Sequence, residues 1–225
     1  MNSCISEELF NFLLKLEQNN NREWFNENKE DFKKIEKQTK LFFNDVLDGL
    51  RVHDDIENLK VFRIYRDVRF SKNKAPYKVH FSGSFARKKP ELRGSYYLHL
   101  SPNNRSFIAT GFWDPNKEDL LRIRKEFEMD DTEIREIISN KNFKEIWGHL
   151  KGDELKTAPR GFDKEHASID LIRKKQYIFT KNYSDQEVQA SGFLQDVNSS
   201  FKAIRPFFNY MSEVLTTNLN GETII

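Results

Sequence analysis

The sequence predicts an α+β fold in which a central antiparallel sheet of four or five strands is flanked by N-terminal and C-terminal helices. Apolar residues recur at helical spacing up to Leu50, alternate with polar residues between Leu59 and Trp113, and return to helical spacing afterwards. The connections in the alternating region are too short for crossover helices, so neighbouring strands should pair antiparallel. No Gly/Ser/Pro-rich linker divides the chain. We therefore predict a single domain over residues 1–225.

Two helices are predicted before the sheet. Ser6 precedes two acidic residues and an apolar periodic run, which is typical of a helix N-cap and its first turn. A polar run that begins at Gln18 ends this helix, and Asn21 is placed to cap a second, longer helix that reaches Leu50. The apolar face of that longer helix drifts along its length, which indicates a bend or a frayed middle.

The strands are predicted from β-branched and aromatic residues in alternating runs. A hairpin turn is expected at Ser101-Pro102-Asn103-Asn104, since these residue types favour tight turns. A short fifth strand is predicted later in the chain, between helical segments. The five candidates are Val61–Phe70, Val79–Arg87, Ser95–Ser101, Arg105–Trp113 and Gln176–Thr180.

Positive charge is concentrated between Lys60 and Arg93. This segment holds eleven basic residues against two acidic ones, a net charge of +9, while the rest of the chain carries −7. Charge of that density attracts anions such as phosphate. The basic residues are Lys60, Arg63, Arg66, Arg69, Lys72, Lys74, Lys78, Arg87, Lys88, Lys89 and Arg93.

Residue parity suggests a polar face on the sheet. On a strand over Val61–Phe70, Arg63 and Arg69 share one side, while Arg66 falls among apolar neighbours and needs a partner such as Asp67, a helix carboxylate or a bound anion. A β-bulge would instead turn Arg66 to the other side. On the next two strands, His80 and His99 are at the positions that alternation assigns to the polar face. The alternative is an ordinary half-exposed sheet with a solvated polar face.

These residues define the candidate site. We expect Arg63, Arg69, Lys74, Tyr77, His80 and His99 to surround one cavity. The candidate acid–base groups are His80, His99, Asp67, Tyr77 and Tyr97. The candidate anion-binding residues are Arg63, Arg66, Arg69, Lys72, Lys74 and Lys78, because guanidinium and ammonium groups bind phosphate and carboxylate. Salt bridges from the basic loop to acidic helices are the alternative.

Residues 62–80 read FRIYRDVRFSKNKAPYKVH and closely resemble the R-x-x-R-D-x-R-F-S-K-x-K-x-P-Y-K-x-H hallmark of a widespread, mostly bacterial family of unknown function. The resemblance implies one conserved domain and no particular activity. Gly111-Phe112 departs mildly from the family, in which a second small residue is usual. Shorter similarities lie at Asn20–Phe25, Gly94–Leu100, Gly111–Pro115, Pro159–Asp163 and Ser184–Asp185.

Other kinds of site receive less support. His80, His99 and Asp67 could form a two-His, one-carboxylate metal set if the strands align, but the surrounding positive charge disfavours a dication. We therefore predict no metal, and the sequence names no cofactor. A Walker A motif, a G-x-G-x-x-G loop and a G-x-S-x-G elbow are all absent from the sequence.

The sequence favours a protein that binds a small anionic ligand, phosphorylated or carboxylated, on the polar face of the sheet. Whether it catalyses a reaction stays open, as does its oligomeric state. A nucleic-acid-binding module that uses the basic strand and its tyrosines is the first alternative, and a non-catalytic structural or interaction protein is the second. One cysteine and no apolar run long enough for a membrane span predict a cytoplasmic protein without a membrane partner.

Overall fold

The computed structural model describes residues 4–225. The helices over this range are α1 (Glu7–Gln18), α2 (Arg22–Glu27), α3 (Lys29–Arg51), α4 (Lys117–Met129), α5 (Thr132–Ser139), α6 (Lys141–Trp147), α7 (Ile169–Ile172), α8 (Asp185–Gln189), α9 (Phe193–Ala203) and α10 (Arg205–Thr216). The strands are β1 (Ile56–Val61), β2 (Phe81–Arg87), β3 (Ser95–Leu100), β4 (Ser106–Phe112) and β5 (Tyr177–Tyr183).

The predicted α+β class is confirmed. The five strands form one antiparallel sheet in the order β1-β2-β3-β4-β5, with helices flanking it. The hairpin between β3 and β4 turns through Asn103 and Asn104, which both adopt positive φ angles (65° and 57°). Asparagine tolerates this left-handed region better than most side chains, so the turn forms where the sequence predicts it.

The long N-terminal helix is interrupted early. Asn21 caps α2, as predicted, by accepting the backbone N–H of Trp24 at 2.9 Å. The helix then ends at Glu27, because the Asn28 side chain donates to the Trp24 carbonyl at 2.8 Å. The apolar face restarts in α3. The predicted bend is thus a break at Asn28 rather than a frayed middle.

The predicted strand over Val61–Phe70 is wrong. β1 covers Ile56–Val61, and residues 62–80, here called the basic loop, extend the β1–β2 hairpin irregularly. Three backbone hydrogen bonds of 2.8 to 2.9 Å join the two sides of this hairpin. The N–H of Phe62 donates to the Ser82 carbonyl, that of Lys78 to the Ile64 carbonyl, and that of Arg66 to the Pro76 carbonyl. The loop forms a β-bridge at Tyr65 and Tyr77. Strand parity therefore does not apply to its arginines.

The chain folds into two compact units, each assembled from separate stretches of sequence. The first unit comprises the described part of Met1–Phe85, with Tyr97–Ile108 and Asn182–Ser199. In this unit, one face of the sheet packs on α3, where Phe32 and Phe43 contact Phe81 and Phe85 at ring distances of 5.9 and 6.2 Å. Burial of these rings contributes to the apolar core of this unit.

The second unit comprises Ala86–Tyr96, Ala109–Lys181 and Ser200–Ile225. Its core is also aromatic, and Tyr96 packs edge-on against Phe208 at 5.0 Å. Arg87 is fully buried here, with its guanidinium 4.6 Å from the Phe208 ring and its Nη1 donating to the Arg93 carbonyl at 2.8 Å. One of the eleven basic residues therefore belongs to a core and not to a surface charge patch.

Over residues 4–225, no helix combines the length and the apolar character that crossing a membrane requires.

Candidate functional site

A pocket of about 360 Å³ lies in the first unit, between the basic loop and the end of α1. Its volume falls in the lower part of the range that small-molecule sites occupy. It includes members of both predicted groups, the anion binders and the acid–base residues. The lining residues are Glu17, Asn20, Arg66, Asn73, Ala75, Tyr77, Lys78, Val79 and His80.

Asn20 ties the wall of this pocket together. Its side-chain amide donates to the Tyr77 carbonyl at 3.0 Å, and its side-chain oxygen accepts the Tyr77 N–H at 3.1 Å. One amide thus pairs with both backbone groups of Tyr77, as a neighbouring strand would. The sequence-based prediction missed Asn20. The only available signal was the Asn20–Phe25 segment shared with the family.

Tyr77 has a packing role in this wall. Its ring is only 5% exposed and stacks on Phe25 with centroids 4.0 Å apart. Burial, together with the nearby Tyr65 hydroxyl, raises the pKa of the Tyr77 hydroxyl. Tyr77 therefore stays protonated near neutral pH, and its main contribution to the site is to hold the basic loop in place.

Arg66 lines the pocket but forms no buried ion pair with Asp67. Its Nη1 donates to the Ala75 carbonyl at 2.9 Å and its Nη2 to the Ser71 hydroxyl at 3.4 Å. A guanidinium carries five N–H donors, so these two bonds leave donor capacity for a ligand. The Arg66 side chain is half-buried and is held by contacts within the basic loop.

Lys78 supplies the second cation of the pocket. Its Nζ lies 5.5 Å from the Phe62 ring. Burial, and then the charge of Arg63, lower the pKa of the Lys78 ammonium. A cation that has lost part of its hydration and lies near another cation gains more from an incoming anion than an exposed lysine does.

Two imidazoles pack together where the pocket meets the sheet. The ring centroids of His80 and His99 are 4.2 Å apart. The Nδ1 of His99 is 3.0 Å from the Tyr97 hydroxyl, and Phe107 stacks on the His99 ring at 4.7 Å. Burial raises the pKa of the Tyr97 hydroxyl, and the nearby Ser82 side chain partly offsets this rise. Of these residues, His80 lines the pocket, whereas His99 and Tyr97 are not part of its lining.

Both imidazoles are neutral at physiological pH. Burial, then the positive charges of Lys78 and Arg105, lower the pKa of His80 from 6.5 to about 4. Burial, then His80 and Arg105, lower the pKa of His99 to about 3. Each neutral ring keeps one N–H donor and one acceptor nitrogen, which is what an acid–base group requires.

Glu17 is the one acidic residue in the pocket lining, and Arg105 neutralises it. The two Arg105 Nη atoms donate to the two Glu17 carboxylate oxygens at 3.1 and 3.2 Å. This bidentate pair joins α1 to the β3–β4 hairpin across 88 residues of sequence. The sequence-based prediction missed both residues, since no local pattern signals so distant a pairing.

The remaining predicted site residues lie elsewhere on the basic loop. Asp67 bonds Arg69 at 2.6 Å, and both side chains are exposed. The hydrogen bond from Arg69 lowers the pKa of Asp67. The Lys74 Nζ donates to the carbonyls of Val68 and Arg69 at 3.0 and 3.3 Å. The predicted site residues absent from the pocket lining are Arg63, Asp67, Arg69, Lys72, Lys74, Tyr97 and His99.

The predicted cavity is therefore corrected in its membership. Arg63 and Arg69 were assigned to it by strand parity, which fails because the backbone leaves the sheet after Val61. His80 is the last residue of the basic loop and His99 lies on β3, and their rings do pack together. Over residues 4–225, the structure places no group of three or more His, Cys, Asp or Glu side chains in position to hold a metal ion.

A larger cavity of about 540 Å³ lies in the second unit. Apolar groups such as Ile137, Phe143 and Pro206 contribute to its lining, together with one acidic residue, Glu136, and one basic residue, Lys202. No residue of the Lys60–Arg93 segment lines it. It therefore lacks the positive charge that a site for anions requires.

Comparison with known proteins identifies the family. A family model described as conserved hypothetical protein (DUF2461) matches residues 8–210. The chain belongs to this family. The match covers the whole basic loop and every residue of the pocket lining. No curated protein and no solved structure matches the chain.

Proposed function

We propose that the 360 Å³ pocket binds a small anionic ligand, with a phosphate or a carboxylate between Arg66, Lys78 and His80. One observation carries the proposal. Two half-buried cations and a neutral imidazole line one pocket, and the single lining carboxylate, on Glu17, is occupied by Arg105. An anion that enters this pocket meets a net positive charge and unused N–H donors.

The same geometry suits acid–base chemistry on the bound ligand. His80 lines the pocket, and its imidazole can accept or donate a proton beside the anion site. His99 and Tyr97 would act as positioning residues, because their mutual contact holds the ring against which His80 packs. Tyr77, which is stacked and tied to Asn20, is assigned to the wall of the pocket rather than to a reaction step.

Lys78→Gln is the most direct test. The Lys78 side chain contacts Phe62 and its backbone N–H bonds Ile64, so the substitution removes the charge without removing the backbone bond. A charge-assisted contact contributes roughly 1.5–3 kcal/mol, and its loss should weaken binding about tenfold or more. Titration calorimetry with inorganic phosphate, phenyl phosphate and benzoate at low ionic strength measures this.

Lys72→Gln is the matched control. It removes the same charge from an exposed position of the same loop, outside the pocket. Equal losses in the two variants would indicate a diffuse charge effect and contradict a defined pocket. If none of the three probes binds the wild-type protein at millimolar concentration, the proposal is wrong.

A second candidate function rests on the exposed tip of the basic loop. Phe70 is 97% exposed there, beside the exposed side chains of Arg69, Lys72 and Lys74. The loop carries six basic residues against Asp67, a net charge of +5. An exposed ring beside cations suits a single-stranded nucleic acid, whose bases stack on aromatic side chains.

Fluorescence anisotropy with single-stranded and duplex oligonucleotides tests this second candidate. Phosphate contacts make the logarithm of the affinity fall linearly with the logarithm of salt, with a slope of about −0.7 per contact for single strands and about −0.9 for duplex. Phe70→Ala should weaken single-strand binding more than duplex binding. Absence of binding at low salt would remove this candidate.

A further inference from the structure

We propose that the ligand of this pocket is a phosphate monoester bound as its dianion, and that its binding places a proton on His80. This inference rests on the proposed function and adds two statements to it: the ligand class and a coupled protonation. Both follow from how charge is distributed around the pocket.

The count of permanent charges favours two negative charges on the ligand. Arg66 and Lys78 line the pocket as cations, while Glu17 and Arg105 cancel each other through their bidentate pair. A monocarboxylate would neutralise one of the two cations and leave the other partly desolvated. A phosphate monoester, which carries about −1.5 to −2 charges at pH 7, would neutralise both.

The donor types match the oxygens of such a group. A planar guanidinium fork on Arg66 and a mobile ammonium on Lys78 are the two side-chain forms that proteins use most for phosphate. His80 adds a third donor to the pocket lining. A monoester has three terminal oxygens, one for each of these groups, whereas a carboxylate has only two.

His80 becomes a proton acceptor only when the anion arrives. Burial opposes protonation of its ring first, followed by the charges of Lys78 and Arg105, and the His99 ring is 4.2 Å away. Glu17, Arg66 and Tyr77 also line the pocket; Glu17 is paired, and Tyr77 is uncharged. A dianion between Arg66 and Lys78 cancels the positive field of these two cations and places hydrogen-bond acceptors beside the ring, and both changes favour the imidazolium.

His99 is less suited to take this proton. It is not part of the pocket lining, and its Nδ1 is at hydrogen-bond distance from Tyr97 while its ring stacks on Phe107. A second positive charge 4.2 Å from a protonated His80 would also be strongly disfavoured. The pair therefore takes up one proton and not two, and the proton comes from solvent.

Titration calorimetry of the full chain in buffers of different ionisation enthalpy measures the proton count. At pH 7.5, phenyl phosphate should bind with uptake of about one proton, and benzoate should bind at least about tenfold more weakly because one charge-assisted contact is lost. His80→Gln should reduce the uptake to near zero, while the exposed His149→Gln, a matched control, leaves it unchanged.

The outcomes separate the two proposals. Binding of phenyl phosphate and benzoate with equal affinity overturns the ligand class, and phosphate binding without proton uptake overturns the coupling. In both cases the anion pocket stands. Uptake that persists in His80→Gln assigns the proton elsewhere and also overturns the coupling. Failure of both probes to bind overturns the proposed function itself.

NMR on the wild-type protein tests the protonation of His80 without requiring that the His80→Gln variant folds. The proton resonances of the His80 ring, followed by NMR at pH 7.5, should move toward imidazolium values when phenyl phosphate is added. The His149 resonances provide the internal reference, since that side chain is exposed and outside the pocket. A His80 ring that stays neutral in the saturated complex contradicts the inference.

Discussion

The base and the tip of the basic loop carry similar residues in different surroundings. At the base, Tyr77 is buried and Lys78 is partly desolvated beside His80. At the tip, Phe70 is almost fully exposed and Arg69 bonds Asp67 in solvent. Solvent screens the charges at the tip, where Arg69 lowers the pKa of Asp67 chiefly through a direct hydrogen bond, whereas at the base burial itself changes the pKa values of Lys78 and His80 and nearby charges add to the change. The density of positive charge therefore does not by itself define the site. Only the partly buried charges are weakly screened by solvent, and these can bind an anion strongly.

The largest difference between base and tip is expected for the two aromatic residues. Tyr77→Ala removes a ring that is 5% exposed and stacked on Phe25 at 4.0 Å, and such truncations cost about 3–5 kcal/mol. Phe70→Ala, at a ring that is 97% exposed, should change the free energy of unfolding by less than about 0.5 kcal/mol. Denaturant unfolding of the two variants measures both. Equal effects would contradict the assigned burial.

A smaller difference is expected for two asparagines. Asn20→Ala leaves the N–H and carbonyl of Tyr77 without their partner, and each unsatisfied group costs about 1–3 kcal/mol, so we expect a loss of roughly 2–4 kcal/mol. Asn73→Ala removes one exposed bond to the Ala75 N–H and should cost under about 1 kcal/mol. If Asn73→Ala proves the more damaging variant in thermal unfolding, the anchoring role of Asn20 is wrong.

Arg66 provides a third comparison, with Arg69. Arg66→Ala removes bonds to the Ala75 carbonyl and the Ser71 hydroxyl, and should cost about 1–3 kcal/mol, less than breaking a buried ion pair would. Arg69→Ala breaks only an exposed pair with Asp67, so its melting temperature should match that of the wild-type protein. A large loss for Arg69→Ala would show that the loop depends on its tip.

The last difference concerns how stability changes with pH rather than its value at one pH. The pKa values of His80 and His99 are lowered from 6.5 to about 4 and about 3 in the folded protein. The unfolded chain therefore binds more protons as pH falls below 6.5, and stability declines through this window, whereas it is fully retained above 6.5. His80→Gln and His99→Gln should each flatten the decline between pH 6.5 and 4, and His149→Gln should not. Unfolding curves across this range provide the measurement.

The sequence predicted those features that depend on local pattern. Alternation identified β2, β3 and β4, and the same parity assigned His80 and His99 to one face, where the rings lie 4.2 Å apart. Composition alone overextended the first strand, because residues that favour strands also occur in the irregular arms of the basic loop. There Arg66 bonds a carbonyl of the loop itself rather than a neighbouring strand.

Contacts between residues far apart in the chain could not be predicted from the sequence. Asn20 meets Tyr77 across 57 residues, and Glu17 meets Arg105 across 88. No periodicity or spacing rule links such positions, since the contacts arise only once α1 and the hairpins have packed. These two pairs nevertheless decide which cations line the pocket and which carboxylate is neutralised, so the charge balance of the site could be calculated only from the structure.

The Asn20 anchor makes the Tyr77 amide a local reporter of motion. That N–H bonds a side chain from another part of the chain rather than a strand, so it exchanges with solvent whenever the basic loop separates from the α1–α2 turn. Hydrogen exchange at this amide thus measures how often the pocket opens, separately from global unfolding. A ligand that bridges Arg66 and His80 would hold the loop closed, and the lifetime of the Tyr77 amide proton would lengthen by the factor 1 + L/Kd, where L is the free ligand concentration.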